Sequence, residues 1–420
     1  MRTKTLVIVA LAFLTYAQTA WCSTQEADPS TKICTIRLHG GVGGYPTKSP
    51  RELHYVFDAE LIEKCFRRAL QQKASVVILD IETPGGRVAV MQDICRKLVE
   101  YHDKLRVVAW VGDGGSAGSV ITLTCKEIVV KPITRIGAAL SWWFDADGNR
   151  VSLDEERRKD PLAQKKASFN EALVREFMAA SGHPIELVEA MTTQTAELWW
   201  SPSQQRFSSR RPSDFQISND WQQLDDRQTV MTLTGDEAVQ FGVAIGMAQA
   251  VDEIPNLLDI SGPVEFVDLS HIVRRYNADV IRRIAAFHKN AKRLRRALHA
   301  VEREMQLMPD VDWDIPPIER AEATVGVKRR LGKISDNVAQ CRSAIGALRR
   351  IDRLLIKRRI QTPDQPDILA QIDLDAEAIV EVRKMLRQYM KHNPGSDESW
   401  DQAEAWVNFS CKMWSQIRIN

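Results

Sequence analysis

The stretch VVAWVGDGGSAGSVITLTC, Val107 to Cys125, sets two apolar runs on either side of a turn of three glycines and an aspartate. The first run, Val107 to Val111, is short and valine-rich and reads as a buried strand; the second, Ser116 to Cys125, reads as a helix. Ser116 therefore stands where a strand hands over to a helix, beside unpaired N–H groups and the positive end of the helix dipole. An attacking hydroxyl and a developing oxyanion are both stabilised there. The bland alternative is that Ser116 only caps the helix, the commonest task of a serine at that position. Ser119, one turn into the helix, is a weaker alternative because it is less open to a substrate.

Upstream, ILDIETPGGRV (Ile78 to Val88) repeats the arrangement: a strand over Val76 to Ile81, then the turn Thr83, Pro84, Gly85, Gly86. Two glycines remove side chains where backbone must approach something closely, and their N–H groups are candidates for half of an oxyanion hole; a plain tight turn is the alternative. Further strands are expected at Ile33 to Leu38 and Glu127 to Val130, and helices at Asp58 to Gln72 and Val88 to His102. Alternation of this kind over residues 32–262 predicts a layered α/β domain with a parallel sheet and right-handed crossovers. Its sites should lie at the carboxyl ends of the strands, where both glycine turns fall. Thr234 to Glu237 is a capping box opening one more helix. The segment 201–228, rich in Ser, Gln, Arg, Asp and Pro, reads as a surface loop.

A serine nucleophile needs a base. No histidine follows Ser116 within forty residues; His102 precedes it near the end of a helix, and His39 and His54 stay open as candidates. Asp160 and Pro161 open a helix as cap and first residue. Ala163, Lys166, Asn170, Leu173 and Phe177 then follow at steps of three and four, which puts a lysine and an asparagine on the apolar stripe. Burial there favours the neutral amine that can take a proton from serine, with Asn170 to orient it. The bland alternative is a lysine that snorkels to water. Lys165 and Lys159 fall off the stripe.

Past residue 262 the pattern changes. Val273, Tyr276, Val280, Ile284, Phe287, Ala291, Leu294, Leu298, Val301 and Met305 follow one another at steps of three or four. Leu331, Ile334, Val338, Cys341, Ile345 and Leu348 form a second such seam. Pro316 and Pro317 separate the two. Residues 263–420 are thus expected to be an α-helical coiled-coil module, a hairpin followed by a third helix near Ile368 to Met390, serving self-association or docking rather than catalysis.

The N-terminus carries Arg2 and Lys4 and then an apolar run from Leu6 to Leu14. This is the layout of a secretory signal, with cleavage expected after Cys22 and an uncleaved membrane anchor as the alternative. Six of the seven cysteines would remain in the mature chain, none in a CxxC or CxxH pair, so no metal site is expected and disulfide pairing stays open. The 44% apolar and 27% charged fractions fit a globular protein. A net charge of +2 from 57 basic and 55 acidic residues excludes a polyanionic partner for the chain as a whole.

ILDIETPGGRV, VVAWVGDGGSAGS, EIVVKPITRIGAA (Glu127 to Ala139) and VMTLTGDEAVQFGVAIGMAQAVDEI (Val230 to Ile254) together resemble the NfeD and signal-peptide-peptidase-A serine peptidases of the ClpP/crotonase superfamily. The resemblance runs in the family's order over roughly residues 32–262. It implies a Ser/Lys dyad with Ser116 as nucleophile. KKASFNEALVREFMAASGHP (Lys165 to Pro184) is similar to the family's lysine-plus-asparagine helix, which implies Lys166 as base. The oxyanion donors fall on the backbone of Gly86 and Ala117. The resemblance implies an endopeptidase acting on peptide or protein without a cofactor; the N-terminal signal leads to the expectation that it is exported, periplasmic or extracytoplasmic, and so does not bind nucleic acid, and the helical seams to the expectation of a homo-oligomer. IGAALSWW lacks the histidine that ClpP uses. The insertion 141–156 and the segment 201–228 have no counterpart in the family, and the helical module stands where many NfeD proteins have membrane segments and a small barrel. Two rivals keep the fold: an inactive scaffold that recruits partners through its coiled coil, and a crotonase acting on a thioester, against which export argues.

Overall fold

The computed structural model describes residues 30–43, 47–48, 53–144, 150–152, 160–226, 229–307, 317–358 and 380. The expected signal segment, Cys22 and Cys411, much of the insertion 141–156 and, Val380 apart, the expected third helix lie outside them. The chain divides into two compact units, residues 1–43 with 54–275 and residues 44–53 with 276–420.

The first unit is built on a seven-stranded sheet. Six strands run in the order Thr232–Thr234, Glu127–Gly137, Arg106–Gly115, Val76–Thr83, Thr31–His39 and Val264–Asp268, and Gly246–Met247 also pairs with Glu127–Gly137. Only Thr232–Thr234 is antiparallel to its neighbour. Val76, Val77, Ile78, Leu79 and Ile81 are all at most 2% exposed. The apolar run Val76 to Leu79 is what a parallel strand covered on both faces requires. Helix Ala59–Gln71 starts where Asp58 accepts a hydrogen bond from the Leu61 N–H at 2.9 Å, and it buries Leu61, Ile62, Cys65, Phe66 and Ala69 at helical spacing. Helices Val88–Tyr101 and Ala117–Thr124 follow the two glycine turns as expected.

Three features differ from the sequence expectation. The strand read at Glu127 to Val130 continues to Gly137, and it is this extension that reaches the serine turn. Val264–Asp268 pairs with Thr31–His39, so the sheet continues past residue 262. The segment expected as a loop folds into a three-stranded antiparallel sheet of Glu197–Ser201, Arg206–Ser208 and Gln222–Asp226 with a short helix, Asp214–Asn219. Its composition is polar, but four aromatic residues supply a core: Trp199, Trp200, Phe207 and Trp221 are buried, and the Trp200 ring lies 4.7 Å from Phe207 and 5.5 Å from Phe241.

Cys34, Cys65, Cys95 and Cys125 are free and fully buried, and Cys341 is fully buried as well. Burial pushes the thiols of Cys65 and Cys95 up to about 12, which makes them inert packing groups.

In the second unit the helix Ser270–Gln306, from Tyr276 on, lies antiparallel to Pro317–Lys357. Glu304 pairs with Arg330 at 3.1 Å and Lys333 at 3.3 Å, while Asp279 pairs with Arg358 at 3.2 Å. Between these ends Tyr276, Val280, Phe287, Leu294, Leu298 and Val301 are buried, as are Ile334, Val338, Cys341, Ile345 and Leu348.

Candidate active site

Ser116 opens its helix with φ +52° and ψ −122°. For a residue with a Cβ this region costs of order 1–3 kcal/mol and persists only where the surroundings over-determine it. Here they do. The Ser116 N–H donates to the Gly137 carbonyl at 2.8 Å, and the Ser116 carbonyl accepts from the Ser119 N–H at 3.0 Å and the Ser119 hydroxyl at 2.6 Å. The Ser116 side chain makes no capping bond, so the bland reading of this serine does not apply. Ser119 is fully buried and committed to that backbone bond.

The run Gly114-Gly115-Ser116-Ala117-Gly118 has the G-x-S-x-G spacing of a sharp strand-to-helix turn that presents a serine hydroxyl, a further signal in the sequence that strand and helix periodicity alone does not register. Its glycines have a steric reason: a Cβ on Gly118 would lie 2.4 Å from Thr83 Cγ2, and one on Gly114 3.2 Å from Val111 Cγ1.

The second glycine turn packs directly on the first. A Cβ on Gly85 would lie 2.5 Å from Ser116 Cβ and 2.9 Å from the Gly115 carbonyl, and one on Gly86 would lie 2.2 Å from the Val42 carbonyl. Gly86 bridges Val42 in parallel, the Gly85 carbonyl accepting from Val42 at 2.9 Å and the Arg87 N–H donating to Val42 at 2.9 Å. Neither bond uses the Gly86 N–H, and the Ala117 N–H, at the first helical position, has no acceptor within its own helix.

Both turns border a cavity of about 1380 Å³ in the first unit, whose lining includes Gly85, Gly86, Ser116 and Ala117. Its far walls come from helix Pro161–Ser181, through Ala167, Asn170 and Val174, and from helix Ile185–Thr192, through Val188 and Glu189. Burial raises the Glu189 carboxyl above its ordinary value. Asn170 Oδ1 accepts from Gln92 Nε2 at 2.9 Å, which ties its helix to Val88–Tyr101.

Helix Pro161–Ser181 is capped as expected, the Asp160 carboxylate accepting from Leu162 and Ala163 N–H at 3.0 and 3.2 Å. Its phase differs from the stripe read in sequence. Ala163, Ala167, Val174, Phe177 and Met178 are buried, whereas Lys166 and Lys165 are exposed and Leu173 is half-buried. Ala167 and Asn170 reach the cavity, and Lys166 stands roughly 40° round the helix from Asn170. The two alanines, Ala163 and Ala167, fill inward positions, and Lys166 is exposed.

No histidine or lysine lines the cavity among the described residues. His102 Nε2 meets the Thr124 carbonyl at 3.0 Å, and His183 Nε2 meets the Cys125 carbonyl at 2.9 Å. His39 Nε2 lies 2.9 Å from Asp80 Oδ2, off the line of a good hydrogen bond. His39, Asp80 and Glu82 bring ligand atoms within 4.8 Å of one another, but the Lys131 ammonium already sits 2.7 Å from Asp80 and 2.6 Å from Glu82, 4.3 Å from the centre of the Trp110 ring. Burial works to raise the Asp80 pKa, yet His39 and Lys131 outweigh it and hold the carboxyl below its usual range. Lys131 moves upward for the matching reason, its two acids outweighing its burial.

Among solved structures, the chain is similar to a serine-to-alanine mutant of the 1510-N membrane-bound stomatin-specific protease, at 16% identity and TM-score 0.38, over 57% of this chain and 98% of that one. A lysine-to-alanine mutant of 1510-N, in complex with a substrate peptide, matches at 17% identity and TM-score 0.41, over 60% and 99%. The 1510-N protease specific for a stomatin homolog from Pyrococcus horikoshii matches at 18% identity and TM-score 0.33, over 57% and 93%. No curated protein matches the chain. Residues 57–176, which hold both glycine turns and the start of the capped helix, match the family model of the NfeD1b N-terminal domain.

Proposed function

We propose that this chain is an exported serine endopeptidase of the NfeD type. Ser116 Oγ attacks a peptide carbonyl carbon, Lys166 takes the hydroxyl proton, and the N–H groups of Gly86 and Ala117 hold the oxyanion. The proton then passes to the leaving amine, and water, deprotonated by the same lysine, releases the acyl group from Ser116. The observation that carries this reading is the strained Ser116 at φ +52°, whose side chain makes no capping bond and which lines the cavity together with Gly85, Gly86 and Ala117. A serine that served only the fold would not need that backbone. The cavity is large enough for several residues of a peptide, and a substrate peptide is bound by the lysine mutant of 1510-N.

Lys166 enters the cavity by swinging its four-carbon stem past Ala167, and Asn170, already fixed by Gln92, stands one turn on to receive it. A lysine acts as base only when neutral, so activity rises with pH along a limb that Lys166→Ala removes. Residues 1–22 supply the export signal.

A second reading is favoured by one observation, the exposure of Lys166 and the lack of any lysine or histidine on the described cavity wall. It makes the chain an inactive scaffold. Labelling the full chain with a fluorophosphonate probe, followed by mass spectrometry and an assay on an unstructured protein, separates the two. Adduct on Ser116, with loss of turnover in Ser116→Ala and Lys166→Ala but not Lys165→Ala, is the peptidase result. No adduct on folded protein establishes the scaffold, and loss in Lys165→Ala alone moves the base by one residue.

A further inference from the structure

We propose that the outer face of the helix Ser270–Gln306 is a docking surface for an anionic lipid bilayer. Charge in this chain is sharply divided. Residues 276–307 and 317–358 hold 19 lysines and arginines against seven acidic residues, whereas the rest of the chain holds 38 against 48. The near-neutral total conceals a basic hairpin.

On the first helix the charge is ordered. Arg282, Lys289, Arg296 and Arg303 recur every seven residues, and all four are exposed. Each follows by two positions a residue of the buried seam, Val280, Phe287, Leu294 and Val301, none more than 4% exposed. Two residues turn a helix by roughly 200°, so the basic row runs along the side opposite the seam. Exposed Lys292 and Arg293 widen it, and no acidic residue occurs between Asp279 and Glu302. Of the acids at the margins, Asp279 pairs with Arg283 and Arg358 and reaches Arg282 at 3.4 Å, and Glu304 is engaged by Arg330 and Lys333. A merely solvated face would mix both signs, as the helix Ala59–Gln71 does with its Glu60–Lys64 and Glu63–Arg67 pairs.

The shape selects the partner. From Arg282 to Arg303 the row is straight over about 32 Å. A flat array of phosphate headgroups keeps every cation of such a row within a screening length of about 8 Å, whereas the phosphates of a duplex wind away from a straight rod. The face also lacks large apolar side chains at its centre, Ala285 lying between Arg282 and Lys289. Adsorption should therefore be electrostatic, without insertion.

The test is co-sedimentation of the full chain with phosphatidylcholine vesicles, with and without phosphatidylglycerol. The readout is the difference between the two, which cancels any contribution of the apolar residues 6–14. The difference should be large at 50 mM salt and vanish at 500 mM. The variant Arg282→Gln/Lys289→Gln/Arg296→Gln/Arg303→Gln should lower affinity for the anionic vesicles by about tenfold or more. The variant Arg342→Gln/Arg349→Gln/Arg353→Gln/Lys357→Gln removes equal charge from the other helix and should retain most of the binding, and both should keep the wild-type circular dichroism spectrum. Equal binding to neutral and anionic vesicles, an unaffected first variant, an equal loss in both variants, or tighter binding to a duplex DNA than to the vesicles would each overturn the proposal.

Discussion

At Ser116 a Cβ is held at φ +52° and ψ −122°, conformations that glycine adopts freely. Ser116→Gly should therefore relieve strain worth more than the backbone entropy that glycine loses on folding, and stabilise the protein by roughly 1 kcal/mol. Ser116→Ala keeps the Cβ and, with no capping bond to lose, should stay within about 0.5 kcal/mol of wild type. Both should abolish fluorophosphonate labelling, so urea denaturation read beside the labelling assay separates strain from chemistry. A gain in stability from Ser116→Ala as large as that from glycine would mean that the backbone is not the source of strain. Gly85→Ala acts from the neighbouring turn. Its new methyl would meet Ser116 Cβ at 2.5 Å and backbone at 2.9 Å, so labelling should fall at least about 100-fold even in a folded variant.

At the scale of the elements, the carboxyl ends of Thr31–His39 and Val76–Thr83 and the strand Glu127–Gly137 share one charged cluster around Lys131. Lys131→Met keeps the stem over Trp110 but removes the nearer of the two cations on the buried Asp80 carboxylate, leaving Arg37 at 3.6 Å, at a cost of about 2 kcal/mol near pH 7. Because the folded-state pKa of Asp80 lies below its unfolded value near 3.9, its contribution is present above that pH and is lost as pH falls through the folded pKa. Lys131, raised when folded, contributes fully below about pH 10.4 and loses that contribution only at higher pH. The stability gap between wild type and Lys131→Met should thus be widest from pH 5 to 9 and narrow below pH 4. Urea midpoints across that range would show it, and a gap that persists at pH 3 would place the stabilisation in packing rather than charge.

Over the whole molecule, the two units carry separate cores. Phe287 is fully buried in the second unit, and Phe287→Ala should cost its hairpin about 3–5 kcal/mol. Calorimetry should then resolve an early transition for the helices, while Ser116 still takes the fluorophosphonate label at wild-type rate below the later one. A single shifted transition with loss of labelling would show one cooperative unit instead.

Sequence alone determined what local periodicity and turn chemistry encode. The strands at Val76 and Val107, the glycine turns, Ser116 at a helix start and the two seams of the hairpin are each written in residues a few positions apart, and so is the cap at Asp160. Tertiary contacts set what depends on residues distant in the chain. The phase of helix Pro161–Ser181 follows from which side chains fit against Gln92 and its neighbours, which is why Ala167 and not Lys166 faces inward. The polar segment after Trp200 folds because Trp200 and Phe241, beyond its ends in sequence, pack against Phe207 within it, with rings 4.7 and 6.1 Å away. The backbone of Ser116 is likewise held by the carbonyl of Gly137, 21 residues on, at the end of a strand whose unbroken apolar run ends at Val130. Local pattern encodes an element; burial against a distant partner selects its face.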